Sequence, residues 1–125
     1  MAFLAAMFGG QDDAVGEIVR ANPLMVDKEL ANGESFKGKV VVVGRGVVPY
    51  VDKARRVSGA ICMVVMNNAD ELYKCTGQGE DIKILVVCVT QSDGALLVDG
   101  MVVRRRGSGM VRGRCPTRGR LRRMW

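Results

Sequence analysis

The chain has 125 residues and a formal net charge of +6, a length that suits one domain with a hydrophobic core of its own. No apolar run approaches the roughly 20 residues of a membrane-spanning helix. The sequence contains no histidine, which is the commonest general base at neutral pH and the usual partner of cysteine in zinc sites. We therefore expect no zinc site and no catalysis by histidine or by a histidine-activated cysteine. We also predict no other metal and no cofactor.

The positive charge is confined to the carboxyl-terminal end of the chain. Residues 1–103 hold ten Lys or Arg and all thirteen acidic residues, whereas residues 104–125 hold nine arginines and no acid. A segment with so few apolar groups cannot bury enough surface to offset the entropy lost on ordering. We therefore divide the chain into a folded domain, residues 1–103, and an Arg/Gly-rich basic tail, residues 104–125, which is predicted to be disordered.

The first predicted elements are two strands. Residues 2–8 are apolar but lack the basic region of a secretory signal. We therefore expect a cytosolic protein, or one domain of a longer secreted or membrane protein. Residues 15–21 alternate well enough for a second strand, which ends at the turn dipeptide Asn22-Pro23. Residues 24–36 are polar and irregular.

The centre of the chain, residues 38–68, predicts a strand, a glycine turn, a short helix and a second strand. Residues 40–43 are four valines in a row, a pattern typical of a strand that is buried on both faces. Gly44-Arg45-Gly46 then breaks the run, and Pro49 suits the first position of a helix.

The helix after Pro49 is predicted to be amphipathic. Its apolar residues recur at helical spacing: Tyr50, Ala54 and Val57. Its charged residues are expected to face the solvent: Asp52, Lys53, Arg55 and Arg56. Asp52 and Arg56 stand four residues apart, which is the spacing of an ion pair on a helix. Gly59 lies where a helix C-cap is expected, and residues 61–66 form the next apolar strand.

The remaining elements of the folded domain are an apolar strand, a short helix and a closing strand. Residues 82–89 predict the strand, and Thr90 begins the helix, with Asp93 three residues on completing a capping box. The buried side of this helix is expected to consist of Leu96, Leu97 and Val98. Residues 101–103 predict the closing strand, which gives a mixed sheet with two short helices.

The four cysteines are expected to be structural and reduced. They are Cys62, Cys75, Cys88 and Cys115, and no two form a CxxC pair. Cys62 and Cys88 lie within apolar runs, where a thiol behaves as a small hydrophobic group.

Several short motifs occur in the order that one known family shows. They are Gly38-Lys39 before the valine run, Arg45-Gly46, Tyr50, Lys53-Ala54, Gly59-Ala60 and Asn67-Asn68. In these motifs the chain resembles the protease-associated domain, or PA domain. The pattern of that family is a GK-led apolar strand, an RGxC turn, an F-x-x-K-A helix, an AGA turn and an apolar strand ending in NN.

The resemblance extends to about residues 2–103. Residues 15–23 are similar to a strand of the family that ends in a turn like A-D-P, and residues 82–97 are similar to its I-x-I-P-V-V strand and the helix after it. Val48 replaces the cysteine of the family's turn, and the earlier loop lacks its cysteine. The disulfide of many extracellular members is therefore not expected here. Leu85 replaces a proline of the family.

The resemblance implies an α+β fold of the PA type, a β/β/α swivelling domain with mixed, partly open barrel-like sheets and two short helices. Such domains have no catalytic residues and accompany proteases, sorting receptors and ubiquitin ligases as lids or recruiting surfaces. It therefore implies a non-catalytic protein–protein interaction module that binds a protein or extended peptide. The residues that correspond to the binding turn are Arg45, Gly46, Val47, Val48, Pro49 and Tyr50.

Two alternatives are open at this point. The valine run followed by Gly44-x-Gly46 also fits a dinucleotide-binding turn, in which glycines let the backbone approach a pyrophosphate, and Asp70 is an acid at a tolerable distance. The arginines of residues 104–125 fit binding to the phosphates of a nucleic acid or to an anionic membrane surface.

Overall fold

The structure, a computed structural model, describes residues 4–5, 15–57, 59–72, 82, 84–106 and 109–113. The strands are β1 (Leu4–Ala5), β2 (Val15–Arg20), β3 (Val40–Gly44), β4 (Cys62–Met66), β5 (Leu85–Val89), β6 (Val102–Arg106) and β7 (Gly109–Gly113). The helices are α1 (Tyr50–Arg56) and α2 (Gln91–Ala95), and Gly33–Phe36 form one 3₁₀ turn. No helix in these ranges is long and apolar enough to cross a membrane.

The strands form one mixed sheet in the order β1-β5-β4-β3-β2-β6-β7. The four central strands, β5 to β2, run parallel, and β1, β6 and β7 pair antiparallel at the two sides. The predicted fold class, a PA-type mixed sheet with two short helices, is confirmed.

Strand β3 lies at the centre of the core, as its run of valines predicts. Alternate side chains of a strand point to opposite faces of the sheet, so β3 contributes to two core clusters. One contains Val41, Val43 and Ala54 of α1, and the other contains the remaining two valines and Leu97. All four valines are at most 2% exposed. Each contributes about 1.5–3 kcal/mol by leaving water, which makes this strand the main anchor of the fold.

The sheet continues beyond the boundary predicted at residue 103. Strand β6 extends to Arg106, pairs with β2 on one side and pairs with β7 on the other. Pairing in a sheet satisfies the backbone amides and carbonyls whatever the side chains are, so an arginine-rich segment can take part in it. Residues 114–125 lie outside the described residues, and a disordered basic tail there stays a prediction.

Two details of the helices differ from the sequence-based expectation. Lys53, expected to face the solvent, has no exposed surface. Asp52 forms its ion pair with Arg55 at 3.2 Å, and Arg56 donates instead to the carbonyl of Val26 at 2.6 Å. The helical spacing of the residues cannot show that the loop before β3 covers this side of α1.

The second helix is shorter than predicted. Thr90 caps α2 as expected, since its side chain accepts from the amide of Asp93 at 3.2 Å. Because α2 ends at Ala95, the next residues leave the helix, and only Leu97 is buried. Leu96 and Val98, expected on the buried side, are 56% and 50% exposed.

The two cysteines of the central strands differ in state. Cys62 on β4 is buried and is not part of a disulfide, as expected for a structural thiol. Cys88 on β5 has no exposed surface but is disulfide-bonded, which corrects the expectation of a reduced thiol.

Candidate interaction site at the carboxyl edge of the parallel strands

The segments that follow the parallel strands begin at one edge of the sheet. These are residues 21–32 after β2, residues 45–49 after β3, residues 67–72 after β4 and Thr90 after β5. Backbone hydrogen bonds connect neighbouring segments, from Gly44 to Leu24 and from Arg45 to Met66. This is the edge at which open sheets of parallel strands commonly bind ligands.

The connection from β3 to α1 contains an unusual tight turn. The amide of Val48 donates to the carbonyl of Gly46 at 2.7 Å, and Val47 between them has φ of +67°. This is a γ-turn of the form with positive φ, which is rare and strained. A positive φ is a genuine outlier for a β-branched residue. Val47 is nevertheless 78% exposed, so it gains almost nothing from burial in the domain itself.

Arg45 fastens this turn to the segment after β4. Its amide donates to the carbonyl of Met66 at 3.0 Å, and its guanidinium donates to Oδ1 of Asn67 at 2.9 Å. Asn67 is only 1% exposed, and its Nδ2 donates to the carbonyl of Glu71 at 2.8 Å. The Arg-Gly and Asn-Asn motifs, which are separated by α1 in the sequence, therefore form one connected structure.

Met25 lies directly beneath the turn. The amide of Gly44 donates to the carbonyl of Leu24 at 2.8 Å, which brings the two segments together. A Cβ atom on Gly44 would lie 2.7 Å from Sδ of Met25, and one on Gly46 would lie 3.0 Å from its Cε. Gly46 also has φ of +120°, so glycine is required there for its backbone conformation.

Lys53 of α1 hydrogen-bonds to both the loop after β2 and the end of β3. Its Nζ donates to the carbonyl of Met25 at 2.5 Å and to the carbonyl of Gly44 at 2.7 Å. Burial lowers the pKa of Lys53, the Asp27 carboxylate acts in the opposite direction, and Arg56 lowers it further. The buried cation thus holds the end of β3 and the loop before it in one arrangement.

Three amides in and before the turn are not available to a phosphate. The amides of Gly44, Arg45 and Val48 all donate to carbonyls of the protein itself. Asp70, the acid of the nucleotide alternative, accepts from both the amide and the hydroxyl of Ser92, and these bonds lower its pKa. The geometry therefore gives the nucleotide alternative no support.

The six residues predicted for the binding turn occupy three kinds of position. Val47 and Pro49 are exposed. Arg45, Gly46 and Val48 are half-buried and form the frame of the turn. Tyr50 is half-buried as well, and it packs against the core at the start of α1.

Sequence reasoning missed Asn67 as the anchor of Arg45, although a signal was present. The two residues directly follow neighbouring parallel strands, and the pairing of Gly44 with Met66 puts them side by side. It also missed Lys53 and Met25, for which no comparable pattern exists. Among the described residues, no group of three His, Cys, Asp or Glu could hold a metal ion.

Two curated relatives match most of the chain. ER degradation-enhancing alpha-mannosidase-like protein 3 of Xenopus laevis is 26% identical over 100 residues, covering 70% of this chain and 11% of the relative. The human protein of the same name is 26% identical over 98 residues, covering 69% of this chain and 10% of the relative. The chain therefore spans about a tenth of the length of these relatives.

Two solved structures share the fold. The aminopeptidase from Aneurinibacillus sp. strain AM-1 has a TM-score of 0.66 at 22% identity, covering 78% of this chain and 24% of the enzyme. BSAP, a zinc aminopeptidase from Bacillus subtilis, has a TM-score of 0.64 at 19% identity, covering 90% of this chain and 29% of the enzyme. The family model of the PA domain matches residues 14–97, which include the whole interaction edge. The chain belongs to the PA domain family.

Proposed function

We propose that the chain is a non-catalytic protein-interaction module whose turn at residues 45–50 binds an extended segment of a partner protein. The observation that carries this proposal is Val47, an apolar side chain that is 78% exposed on a strained backbone. Membership of the PA family supports a protease-associated module. The role of the turn is our inference from its geometry.

The strain at Val47 needs a reason beyond folding. A left-handed conformation costs a non-glycine residue about 1–2 kcal/mol, and it persists only where the surroundings impose it. Here the Arg45–Asn67 bond and the packing of Met25 against Gly46 impose it. Residues held in this way are concentrated at functional sites.

A valine held in place is well suited to recognition. Its χ1 angle is already restricted by branching at Cβ, so little side-chain entropy is lost when a partner covers it. The amide of Val48 is used within the turn, and the amide of Arg45 donates to Met66 in β4. We infer that recognition depends on the apolar surface of Val47, which is flanked by exposed Pro49.

The partner is proposed to belong to the same assembly as the module. The curated relatives and the solved structures are named as enzymes, and this chain covers only 10–29% of each of them. A module of this size fits the role of substrate recruitment or a lid for an associated protease, sorting receptor or ubiquitin ligase.

The proposal is tested by selecting peptides from a library of random unstructured sequences against the immobilised chain and measuring their Kd values. Val47→Ser removes the apolar surface of the turn. Val98→Ser is the matched control, because Val98 is also an exposed valine, at 50%, but lies after α2. We expect Val47→Ser to weaken binding of the selected peptides by about tenfold or more, as loss of an apolar anchor does.

The control variant should bind these peptides with the affinity of the wild type. Equal affinity of wild type and Val47→Ser, or failure to select any peptide, would contradict the proposal.

A further inference from the structure

A buried lysine lies beneath the interaction turn without an adjacent carboxylate bonded to it. Lys53 has no exposed surface, and its described hydrogen bonds go to two backbone carbonyls, those of Met25 and Gly44. A methionine would fill similar space without the cost of removing a polar group from water. The amino group must therefore do something that packing alone does not.

The two carbonyls belong to different segments that meet under the turn. Gly44 ends β3, and Met25 lies in the loop after β2. The same loop contains Val26, which is fully buried with φ of +55°, and whose carbonyl accepts from Arg56. Two cations of α1 thus hold consecutive carbonyls of a strained loop in place.

The side chain of Met25 connects this loop to the turn, because it packs against Gly44 and Gly46. Its sulfur and terminal methyl lie close enough to Gly44 and Gly46 that a Cβ atom at either glycine would contact them at 3.0 Å or less. The route from Lys53 to Val47 therefore has three steps. The ammonium fixes the carbonyl of Met25, the Met25 side chain supports Gly46, and Gly46 begins the γ-turn.

We propose that Lys53 and Met25 are positioning residues that hold Val47 in its left-handed conformation. Neither residue needs to touch the partner. The claim about the conformation of Val47 stands by itself, and its consequence for binding rests on the proposed function.

The first test measures the turn directly by NMR. Lys53→Met keeps the apolar stem and removes the donors, and Met25→Ala removes the support of the turn from a half-buried loop position. The amide and α protons of a residue lie close together when its φ is positive, which gives a strong NOE between them. In either variant we expect this NOE of Val47 to weaken. We also expect hydrogen exchange at the amides of Gly44 and Arg45 to speed up by about tenfold more than at Val64 in β4.

The double variant, Lys53→Met with Met25→Ala, distinguishes one shared route from two independent effects. If Lys53 acts through Met25, the double variant will shift the Val47 signals no further than the larger of the single variants. Thr90→Ala, which weakens the cap of α2, is the control for general destabilisation and should leave Val47 unchanged. The proposal would be overturned if hydrogen exchange sped up equally in the turn and in β4 in both single variants while the NMR signals of Val47 did not change.

The binding test separates this proposal from the proposed function. Peptides selected by the wild type should bind both single variants more weakly while the chain remains folded. An altered Val47 conformation with unchanged peptide affinity would support the positioning role and contradict binding at the turn. An unchanged conformation would overturn the positioning role whatever the affinity.

An independent observation concerns the compartment in which the domain folds. Cys88 on β5 is disulfide-bonded, whereas the sulfur of Cys62 on β4 is not part of a disulfide. Structural disulfides form and persist in oxidising compartments and are rare in the cytosol. The bonded Cys88 points to folding in an oxidising compartment. There, two thiols lose two electrons and two protons to a disulfide donor such as oxidised glutathione, which is reduced to two thiols.

The test uses protein isolated from its own cells into acid, which stops thiol exchange. After unfolding, free thiols are blocked with one alkylating agent, disulfides are reduced, and the new thiols are labelled with an agent of different mass. We expect the first label on Cys62 and the second on Cys88. The first label on Cys88 in most molecules would overturn the inference.

Discussion

Two strand-to-helix connections lie at the same edge of this domain and are built in opposite ways. Between β5 and α2 the connection is one residue, Thr90, with extended backbone angles and a side chain that caps the helix. Between β3 and α1 it has five residues, 45–49, and Pro49 at the helix start has no side-chain cap. The longer connection also contains the strained Val47.

The comparison shows that the strain is not needed to join a strand to a helix in this fold. Thr90 makes the same kind of connection with ordinary backbone geometry and a capping bond worth about 1 kcal/mol. The additional residues after β3 are instead held by Arg45, Asn67, Met25 and Lys53. We infer that these hydrogen bonds hold the exposed valine for contact with a partner, as proposed above.

The largest effect is expected from a larger side chain at Gly94 in α2, the helix that Thr90 caps. In Gly94→Ala the new Cβ would lie 2.3 Å from Cγ of Met66, an atom near the backbone that cannot move away freely. Overpacking costs about 1–3 kcal/mol, and an overlap this close to the backbone is expected at the upper end of that range. The cost then outweighs the roughly 1 kcal/mol by which alanine is the better helix former. Urea unfolding should show this loss of stability.

The control for this variant is Gly33→Ala. A Cβ there would meet Leu30 at an ordinary 3.6 Å, so its stability should remain within about 0.5 kcal/mol of the wild type. A free energy of unfolding for Gly94→Ala equal to that of the wild type would contradict this prediction.

A smaller effect is expected from removing the cap of α2. Thr90→Ala leaves the amide of Asp93 without its acceptor and should lower the free energy of unfolding by about 1 kcal/mol. The same urea measurement checks it. No change in stability would mean that α2 does not depend on its cap, and the two connections would then be more alike than we describe.

The smallest effect is expected at acid pH. Asp70, after β4, accepts two bonds from Ser92 in α2, and these lower its pKa from the ordinary value of 3.8. A carboxyl with a lowered pKa in the folded state stabilises the protein above its unfolded pKa, and that contribution is lost as the pH falls through the folded value. Asp70→Asn should therefore lose less stability than the wild type on acidification, measured by urea unfolding at several pH values. Equal losses of stability in the wild type and in Asp70→Asn as the pH falls would contradict this prediction.

The sequence predicted the elements whose cause is local. Residues 40–43 indicate a buried strand because β-branched residues without alternation suit a strand covered on both faces. Thr90 with Asp93 indicates a helix start because the cap acts within one turn. The turn at residues 45–50 was located through a family resemblance, and the structure shows that Val47 is its exposed apolar residue.

The features that could not be predicted depend on contacts distant in sequence. Lys53 was placed in solvent because a helical pattern cannot show that Met25 and Gly44 supply carbonyls on that side. Strands β6 and β7 extend into the arginine-rich segment because backbone pairing does not require apolar side chains. The disulfide of Cys88 could not be derived from the spacing of the cysteines.

The central claim, that Val47 is strained for recognition, is tested most directly by Val47→Gly with two readouts on the same protein. Glycine accepts a positive φ without strain, and this gain of about 1–2 kcal/mol exceeds the entropy that glycine adds to the unfolded chain. We predict a higher free energy of unfolding in urea together with weaker binding of the selected peptides. A variant that is less stable, or one that binds the peptides as the wild type does, would contradict the account.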